Sequence, residues 1–360
     1  MHDYPKIIEK RPEKHGEPRV LIVRLSAIGD CVQTMPLACA VRDHWPAAHV
    51  TWVVEKASAP LVEACDAVDR VIVLPKRFAT SWRLLVKLRS VLADGSFDFA
   101  LDPQGLTKSG LVSWLSPAKR RIGFARPASR EFNPWLQTEL VNSTAIHRVH
   151  RYLELLRPVG IERPAARFGI ALPAAVKATA EQLEKRYAFR DGYAVLNPGA
   201  GWDSKLWPLD RFAEVARHLF SRGVPSIVVW GGDKEQLWAK QIVDDSDGAA
   251  ILAPPTSLLE LTAILKYARL FVGSDTGPLH LAAAMGTRCV ALFGASRGEA
   301  CGPYGTGHVV LQAALDESVG RKRPGADNWA MREIKSQTVF AACDAVLGAA
   351  GQSRNAAAAA

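Results

Sequence analysis

Leu270-Phe271-Val272-Gly273-Ser274-Asp275-Thr276-Gly277-Pro278-Leu279-His280 reads as a buried strand that runs into a tight loop and then a helix. Leu270, Phe271 and Val272 form the short apolar run of a parallel strand covered on both faces. Gly273 and Gly277 permit backbone angles and close approaches that a side chain blocks. Pro278 suits the first helical turn, where a missing N–H costs little. Leu279 to Met285 continues helically, and Gly286 is a natural stop. Such a loop turns the N–H groups of a helix N-terminus towards the crevice beyond a strand's C-terminal end, where anions bind. On local pattern alone, a joint in which Asp275 or Thr276 merely caps the helix is an equal reading.

A second stretch favours the anion site. Asn197-Pro198-Gly199-Ala200-Gly201-Trp202-Asp203-Ser204-Lys205-Leu206-Trp207-Pro208 also follows a strand (Tyr193 to Leu196) and precedes a helix beginning near Pro208. A Gly-rich turn carrying one Lys is a usual way to hold a pyrophosphate.

Outward from these loops, strands and helices alternate, so the chain is α/β with parallel sheets. Before the boundary, strands are expected at Val20–Arg24, Val50–Val54, Val71–Leu74 and Phe97–Leu101. Helices are expected at Cys31–Arg42, Ala57–Cys65, Ser81–Leu92 and His147–Leu156. After it come helices Val176–Tyr187, Leu209–Ser221, Lys234–Val243, Leu258–Tyr267 and Ser336–Leu347. They interleave with strands at Tyr193–Leu196, Ser226–Val229, Ala250–Leu252 and Cys289–Leu292. The Pro- and Ala-rich region Gly160 to Ala175 marks the boundary. The expected division is a loose leader 1–18, a Rossmann-like domain 19–170, a second Rossmann-like domain 171–350 and a disordered tail 351–360.

The 360 residues are 48% hydrophobic and 22% charged, as in ordinary globular proteins. No uninterrupted apolar run is long enough to span a bilayer, and the polar start lacks a signal-peptide core. The six cysteines are scattered without a CxxC pair and read as buried thiols of a reducing cytoplasm. Residues 1–170 hold 25 Lys+Arg and 17 Asp+Glu, a net +8, so almost all of the chain's +9 lies there. That asymmetry suggests an anionic partner for the first half, against the alternative of a solvated basic surface. Nucleic acid is disfavoured, because no aromatic-and-basic RNA motif or recognition helix is visible. A nicotinamide oxidoreductase is disfavoured too, because the first strand leads into Leu25-Ser26-Ala27-Ile28-Gly29-Asp30 and not GxGxxG. His147, His150 and Glu154 share a helical face, but nothing completes a metal site around them.

Six short motifs in order give a resemblance. They are Arg24-Leu25-Ser26-Ala27-Ile28-Gly29-Asp30, Asp102-Pro103-Gln104-Gly105-Leu106-Thr107-Lys108-Ser109 and Arg120-Arg121-Ile122-Gly123-Phe124. Lys205-Leu206-Trp207-Pro208, Trp230-Gly231-Gly232-Asp233-Lys234-Glu235 and Gly273 to His280 complete the set. Over residues 19 to 347 the chain resembles the ADP-heptose:lipopolysaccharide heptosyltransferases, inverting enzymes of GT-B architecture. Pro103 to Arg130 is most similar to the enzymes that add the first heptose to a Kdo sugar on lipid A.

The resemblance implies two Rossmann-like domains facing each other across a cleft, with the acceptor on the first and an ADP-sugar on the second. It implies Asp30 as the base that deprotonates the acceptor hydroxyl, and a helix N-cap is the competing role. Lys205 would hold the pyrophosphate without metal or other cofactor, and Gly201 lies in the same turn. Asp275 would meet the donor sugar's hydroxyls, and Thr276, Gly277 and Leu279 would offer N–H groups to the phosphates. Glu235 would accept from the ribose hydroxyls, or simply complement its helix dipole. His280 either faces the phosphates or packs. Lys108, Arg120, Arg121, Arg126 and Arg130 are the expected contacts to an anionic Kdo-lipid A acceptor. The enzyme would work in the cytoplasm, peripheral to the inner membrane. Two departures stand out: Gly201 replaces a hydroxyl residue four positions before the Lys, and Gly320–Trp329 matches poorly. A related transferase with another nucleotide sugar or acceptor, or a silent nucleotide-sugar-binding protein, are the alternatives.

Overall fold

The computed structural model describes residues 5–12, 18–187, 192–314 and 327–358, and the chain divides into two units, Met1–Ala171 and Leu172–Ala360. Each is a doubly wound α/β sheet, so the chain has the two Rossmann-like units of a GT-B protein.

The first unit contains β1 (Lys6–Glu9), β2 (Arg19–Val23), α1 (Ile28–His44), β3 (His49–Glu55), α2 (Ala59–Glu63) and β4 (Arg70–Leu74). It continues with α3 (Trp82–Ala93), β5 (Phe99–Leu101), α4 (Thr107–Leu115), β6 (Arg120–Phe124), α5 (Asn133–Leu136), β7 (Glu139–Val141) and α6 (Arg148–Leu153). The sheet order is β1-β4-β3-β2-β5-β6-β7. From β2 the chain winds outward through β3 and β4, then returns to β5 and winds the other way. Right-handed crossovers put α1 and α2 on one face and α3 and α4 on the other. Leu21, Val23, Val53 and Ile72 of the sheet pack accordingly with Leu88 and Leu92 of α3 and Val112 of α4.

The second unit contains α7 (Ala174–Tyr187), β8 (Ala194–Asn197), α8 (Leu209–Ser221), β9 (Ser226–Val228), α9 (Asp233–Asp244), β10 (Ala250–Leu252) and α10 (Leu258–Tyr267). It continues with β11 (Leu270–Ser274), α11 (Gly277–Ala284), β12 (Cys289–Phe293), α12 (Gly298–Cys301), β13 (Val309–Gln312), α13 (Trp329–Glu333) and α14 (Ser336–Ala358). Its sheet is wholly parallel, in the order β10-β9-β8-β11-β12-β13. β11 pairs with β8, Gly273 opposite Asn197, and a Cβ on Gly273 would lie 3.0 Å from the Asn197 carbonyl oxygen. The central strand thus needs a glycine where it meets its neighbour at the loop end.

Several expectations change. Residues 6–9 of the supposed loose leader pair antiparallel with β4 as an edge strand. β6, β7 and β13 were not expected: Arg120-Arg121 masks the apolar end of β6, and β7 and β13 are only three and four residues long. The helix expected over Ala57–Cys65 is only α2, and the strand expected from Phe97 begins at Phe99. The His147–Leu156 helix ends at Leu153 and tightens into a 3₁₀ segment, Glu154–Val159, that contains Pro158. α14 runs to Ala358, through most of the segment expected to be disordered. Most of Gly320–Trp329 lies outside the described residues.

Candidate functional site

In an open parallel sheet the crevice for ligands lies where the winding direction reverses, beyond the strands' C-terminal ends. In the first unit that place is between β2 and β5, and in the second between β8 and β11. The loops leaving these four strands carry four of the six motifs.

Across the first reversal the two loops are tied together. Arg24 donates to the Pro103 carbonyl at 2.9 Å, and the Leu25 N–H donates to Gln104 Oε1 at 2.8 Å. Asp102, fully buried, organises the loop after β5. It accepts from the N–H groups of Gln104 and Gly105 and from Ser109, Asn133 and Gln137. Burial pushes its carboxyl up, and these donors pull it only partly back. Lys108 reaches Ser26 at 3.3 Å and Glu55 at 2.7 Å.

Asp30 sits in the first turn of α1, 26% exposed, held by two arginines. Arg24 Nη2 lies 2.9 Å from Oδ2, and Arg148 Nη1 lies 3.0 Å from Oδ1. The Arg24 side chain is buried and also lies 5.2 Å from the Tyr152 ring centroid. Burial by itself lowers the Arg24 pKa, but Tyr152 and Asp30 reverse that, so the guanidinium stays charged. Asp30 is not the N-cap of α1, which is Ala27; as the third helical residue it accepts from the Ala27 N–H at 3.4 Å, so a capping contact coexists with the two ion pairs. Arg148 was missed from sequence, since 118 residues separate it from Asp30.

The expected basic patch is not one patch. Arg120 and Arg121 open β6, at the end of the sheet away from Asp30. Arg120 is committed to Glu139 (2.6 and 2.8 Å) and the Pro158 carbonyl, and Arg121 donates to the Leu136 carbonyl. They tie β6 to β7, to α5 and to the Glu154–Val159 segment, and are not brought to Asp30. Arg126 and Arg130 follow β6 at the loop end and are exposed. Of the five, Lys108 stands closest to the Asp30 loop, through Ser26. The His147–His150–Glu154 face is also committed: His147 Nδ1 caps α6, and Glu154 accepts from Ser143, Thr144 and Arg157.

The second reversal brings residues of the β8 and β11 loops together. Lys205 Nζ lies 2.6 Å from Asp275 Oδ2, and His280 Nε2 lies 3.4 Å from Oδ1. Cys301 Sγ, which the sequence did not single out, is 3.7 Å from the same carboxylate. Burial alone would raise the Asp275 pKa, but His280 and Lys205 hold it well below the usual carboxylate range. Asn197 at the end of β8 donates to Thr276 Oγ1 and to the Gly199 carbonyl, tying the two loops. Thr276 is the N-cap of α11 in extended conformation. Gly277 and Leu279 therefore present helix-start N–H groups without intrahelical acceptors, and Pro278 has none to offer.

Glu235, in the first turn of α9, accepts from the Gly231 N–H at 2.7 Å. Burial raises its pKa, and that hydrogen bond offsets only part of the effect. A Cβ on Gly199 would sit 2.4 Å from the Glu235 carboxylate, so the glycine is what lets Glu235 lie against the Lys205 loop. Gly201 has open space around it. The second reversal thus combines a cation, a helix N-terminus and a carboxylate, the groups that recognise a phosphorylated ribose.

The family model "Glycosyltransferase family 9 (heptosyltransferase)" matches residues 85–326. The chain is similar to lipopolysaccharide heptosyltransferase 1 of Salmonella typhimurium, 29% identical over 80% of this chain and 92% of the relative. Lipopolysaccharide heptosyltransferase 1 of Pseudomonas aeruginosa is likewise 29% identical, over 81% of this chain and 83% of the relative. A solved structure of E. coli heptosyltransferase WaaC with ADP-2-deoxy-2-fluoro heptose is 25% identical with a TM-score of 0.71. The match covers 89% of this chain and 97% of that one.

Proposed function

The chain belongs to glycosyltransferase family 9 (heptosyltransferase), and from that premise we propose that it transfers heptose from ADP-heptose to a Kdo-bearing inner-core acceptor of lipopolysaccharide, with inversion. The observation that carries the donor half is the group of Lys205, Asp275, His280 and Glu235 around the β8–β11 reversal. The ADP-heptose analogue in the E. coli structure and the names of the curated relatives support the donor and the acceptor class.

The chemistry follows from charge. The acceptor hydroxyl oxygen attacks the anomeric carbon, and the bond from that carbon to the β-phosphate oxygen breaks, its electron pair leaving with ADP. Asp30 takes the hydroxyl proton as the new bond forms. A hydroxyl bonding to carbon becomes strongly acidic, so the carboxylate needs position more than a shifted pKa. Arg24 and Arg148 supply that position by fixing both of its oxygens. Lys205 and the N–H groups of Gly277 and Leu279 offset the charge developing on the leaving ADP, the part a divalent metal plays in other transferases. Asp275 receives the sugar's hydroxyls, and Glu235 the ribose hydroxyls. Thr276 and His280 shape the phosphate end, and Gly201 leaves room for it. Lys108, Arg126 and Arg130 face the anionic acceptor at the cytoplasmic face of the inner membrane; Arg120 and Arg121 are dropped from that role because Glu139 of β7 engages the first and the Leu136 carbonyl of α5 the second.

The test is transfer from ADP-heptose to Kdo-lipid A, with product stereochemistry read by NMR. Formation of the α-linked product from a β-configured donor supports the reading. Absence of transfer with a donor that binds would end it.

A further inference from the structure

The outer surface of α3, α4 and α5 is unusual for a soluble domain. Trp82 is 70% exposed, Trp114 50%, Phe132 62% and Trp135 73%. Exposed Val86 stands one turn from Trp82 on α3. Large apolar side chains scattered singly need no explanation, but a cluster of aromatics marks a docking surface. The helices that carry these side chains adjoin one another. α3 packs against α4 and α4 against α5, on the sheet face that the crossovers assign to them. Gly110 of α4 lies against Asn133 and Leu136 of α5, and Trp114 follows one turn later on the same stripe. The Phe132 and Trp135 rings are 5.3 Å apart.

Charge on this face is of one sign along α3. Residues 75–93 include Lys76, Arg77, Arg83, Lys87 and Arg89, and no Asp or Glu. α3 turns Leu84, Leu85, Leu88, Val91 and Leu92 to the core, so Arg83, Lys87 and Arg89 share its outer surface with Trp82 and Val86, and exposed Lys76 and Arg77 precede the helix. Near α5, exposed Arg126 and Arg130 flank exposed Glu131, whose carboxylate accepts from the Thr107 N–H. Aromatic rings with basic side chains beside them match the headgroup region of an anionic bilayer, where indole is most stable and each cation gains from the surface potential. No helix among the described residues is long and apolar enough to cross a membrane, so contact through these helices would be peripheral.

We propose that α3, α4 and α5 dock the enzyme on an anionic lipid bilayer, with Trp82, Trp114, Phe132 and Trp135 seated at headgroup level and the α3 arginines and lysines on lipid phosphates. This deepens the proposed function, since it rests on a lipid-borne acceptor. It also moves membrane contact from Arg120 and Arg121 to an aromatic face that charge counting did not reveal.

Flotation of the full chain with phosphatidylcholine vesicles, with and without phosphatidylglycerol, tests it. The wild type is expected to float with the anionic vesicles and to be released by salt. Trp82→Ser/Trp114→Ser/Trp135→Ser should weaken partitioning by at least about tenfold, since buried aromatic surface sets interfacial affinity. Arg83→Glu/Lys87→Glu should remove the preference for phosphatidylglycerol. Circular dichroism and ADP calorimetry confirm that the variants fold. Undiminished flotation of the triple variant overturns the proposal. So does vesicle-free sedimentation showing a dimer that the triple variant loses, which would give the face to a second copy of the chain. Transfer to a lipid-free acceptor reads the proposed function separately. Flotation without transfer sinks that reading alone, and transfer without aromatic-dependent flotation sinks this one alone.

Discussion

Asp30→Asn is the most informative single change, because it separates position from basicity. The amide keeps one acceptor oxygen, so one of the two arginine contacts can survive. The contact to half-exposed Arg148 is worth about 0–1 kcal/mol after solvent screening. The contact to buried Arg24 belongs to the class of hydrogen bonds between charged groups, roughly 1.5–3 kcal/mol. Arg24 keeps its bond to the Pro103 carbonyl and its place beside Tyr152, so it is not orphaned. The expected loss of stability is therefore about 1–2 kcal/mol, readable by urea denaturation. Removing a positioned base lowers kcat by about 10²–10⁴, which is roughly 3–5 kcal/mol of barrier. The rate effect should exceed the stability effect, with ADP affinity unchanged. Arg148→Gln is the control: it breaks the same ion pair but leaves the base, so stability should shift by about 1 kcal/mol or less and kcat should fall far less than in Asp30→Asn. Stopped assays of ADP release on folded protein decide it. A folded Asp30→Asn variant that binds donor and turns over at the wild-type rate refutes the reasoning.

Lys205→Ala should weaken ADP binding by about 1.5–3 kcal/mol in calorimetry, the worth of a charge-assisted hydrogen bond. The same variant should unfold at higher pH on acidification. The Asp275 contribution, complete above the ordinary carboxylate pKa of about 3.9, is lost only as pH falls through its lowered value, and Lys205 is one of the groups lowering it. Gly199→Ala should displace Glu235 and weaken ADP binding, while Gly201→Ala, with open space around it, should not. Arg120→Gln should cost about 1 kcal/mol or less and leave the acceptor KM unchanged, whereas Arg126→Glu/Arg130→Glu should raise it. EDTA should leave turnover intact if, as proposed, Lys205 and a helix N-terminus do the work of a metal; loss of activity restored by Mg²⁺ would contradict that.

The loops were legible because their physics is local. A strand, a glycine and a Pro at a helix start announce the β11–α11 joint within eleven residues, and the structure has that joint. The apolar central strands were legible for the same reason. Edge elements were not. β1 and β7 have at most one fully buried residue between them, so they lack the apolar signature that betrays an interior strand. The aromatic face was illegible on opposite grounds. Trp114 lies among Leu111, Val112 and Leu115, and nothing in the sequence says which of them faces out.

Ion pairs set the deeper limit. The resemblance implied Lys205 for phosphate and Asp275 for sugar as separate roles, but the fold places one on the other at 2.6 Å. A pair with little exposure is strongly coupled, because each charge loses water and relies on its partner. On the proposed function, an incoming pyrophosphate has to compete with Asp275 for Lys205. His280, 3.4 Å from the other carboxylate oxygen, leaves Asp275 a partner when that happens. The same logic applies at Asp30, where two arginines share one carboxylate, so an acceptor anion that draws Arg148 away still leaves the buried Arg24 in place. At each winding reversal, then, a central carboxylate is held by two cationic or potentially cationic partners. If the proposed function holds, that duplication would let one partner move to substrate without leaving the carboxylate unpaired. It arises from residues 70 and 118 positions apart, and no window of sequence could have announced it.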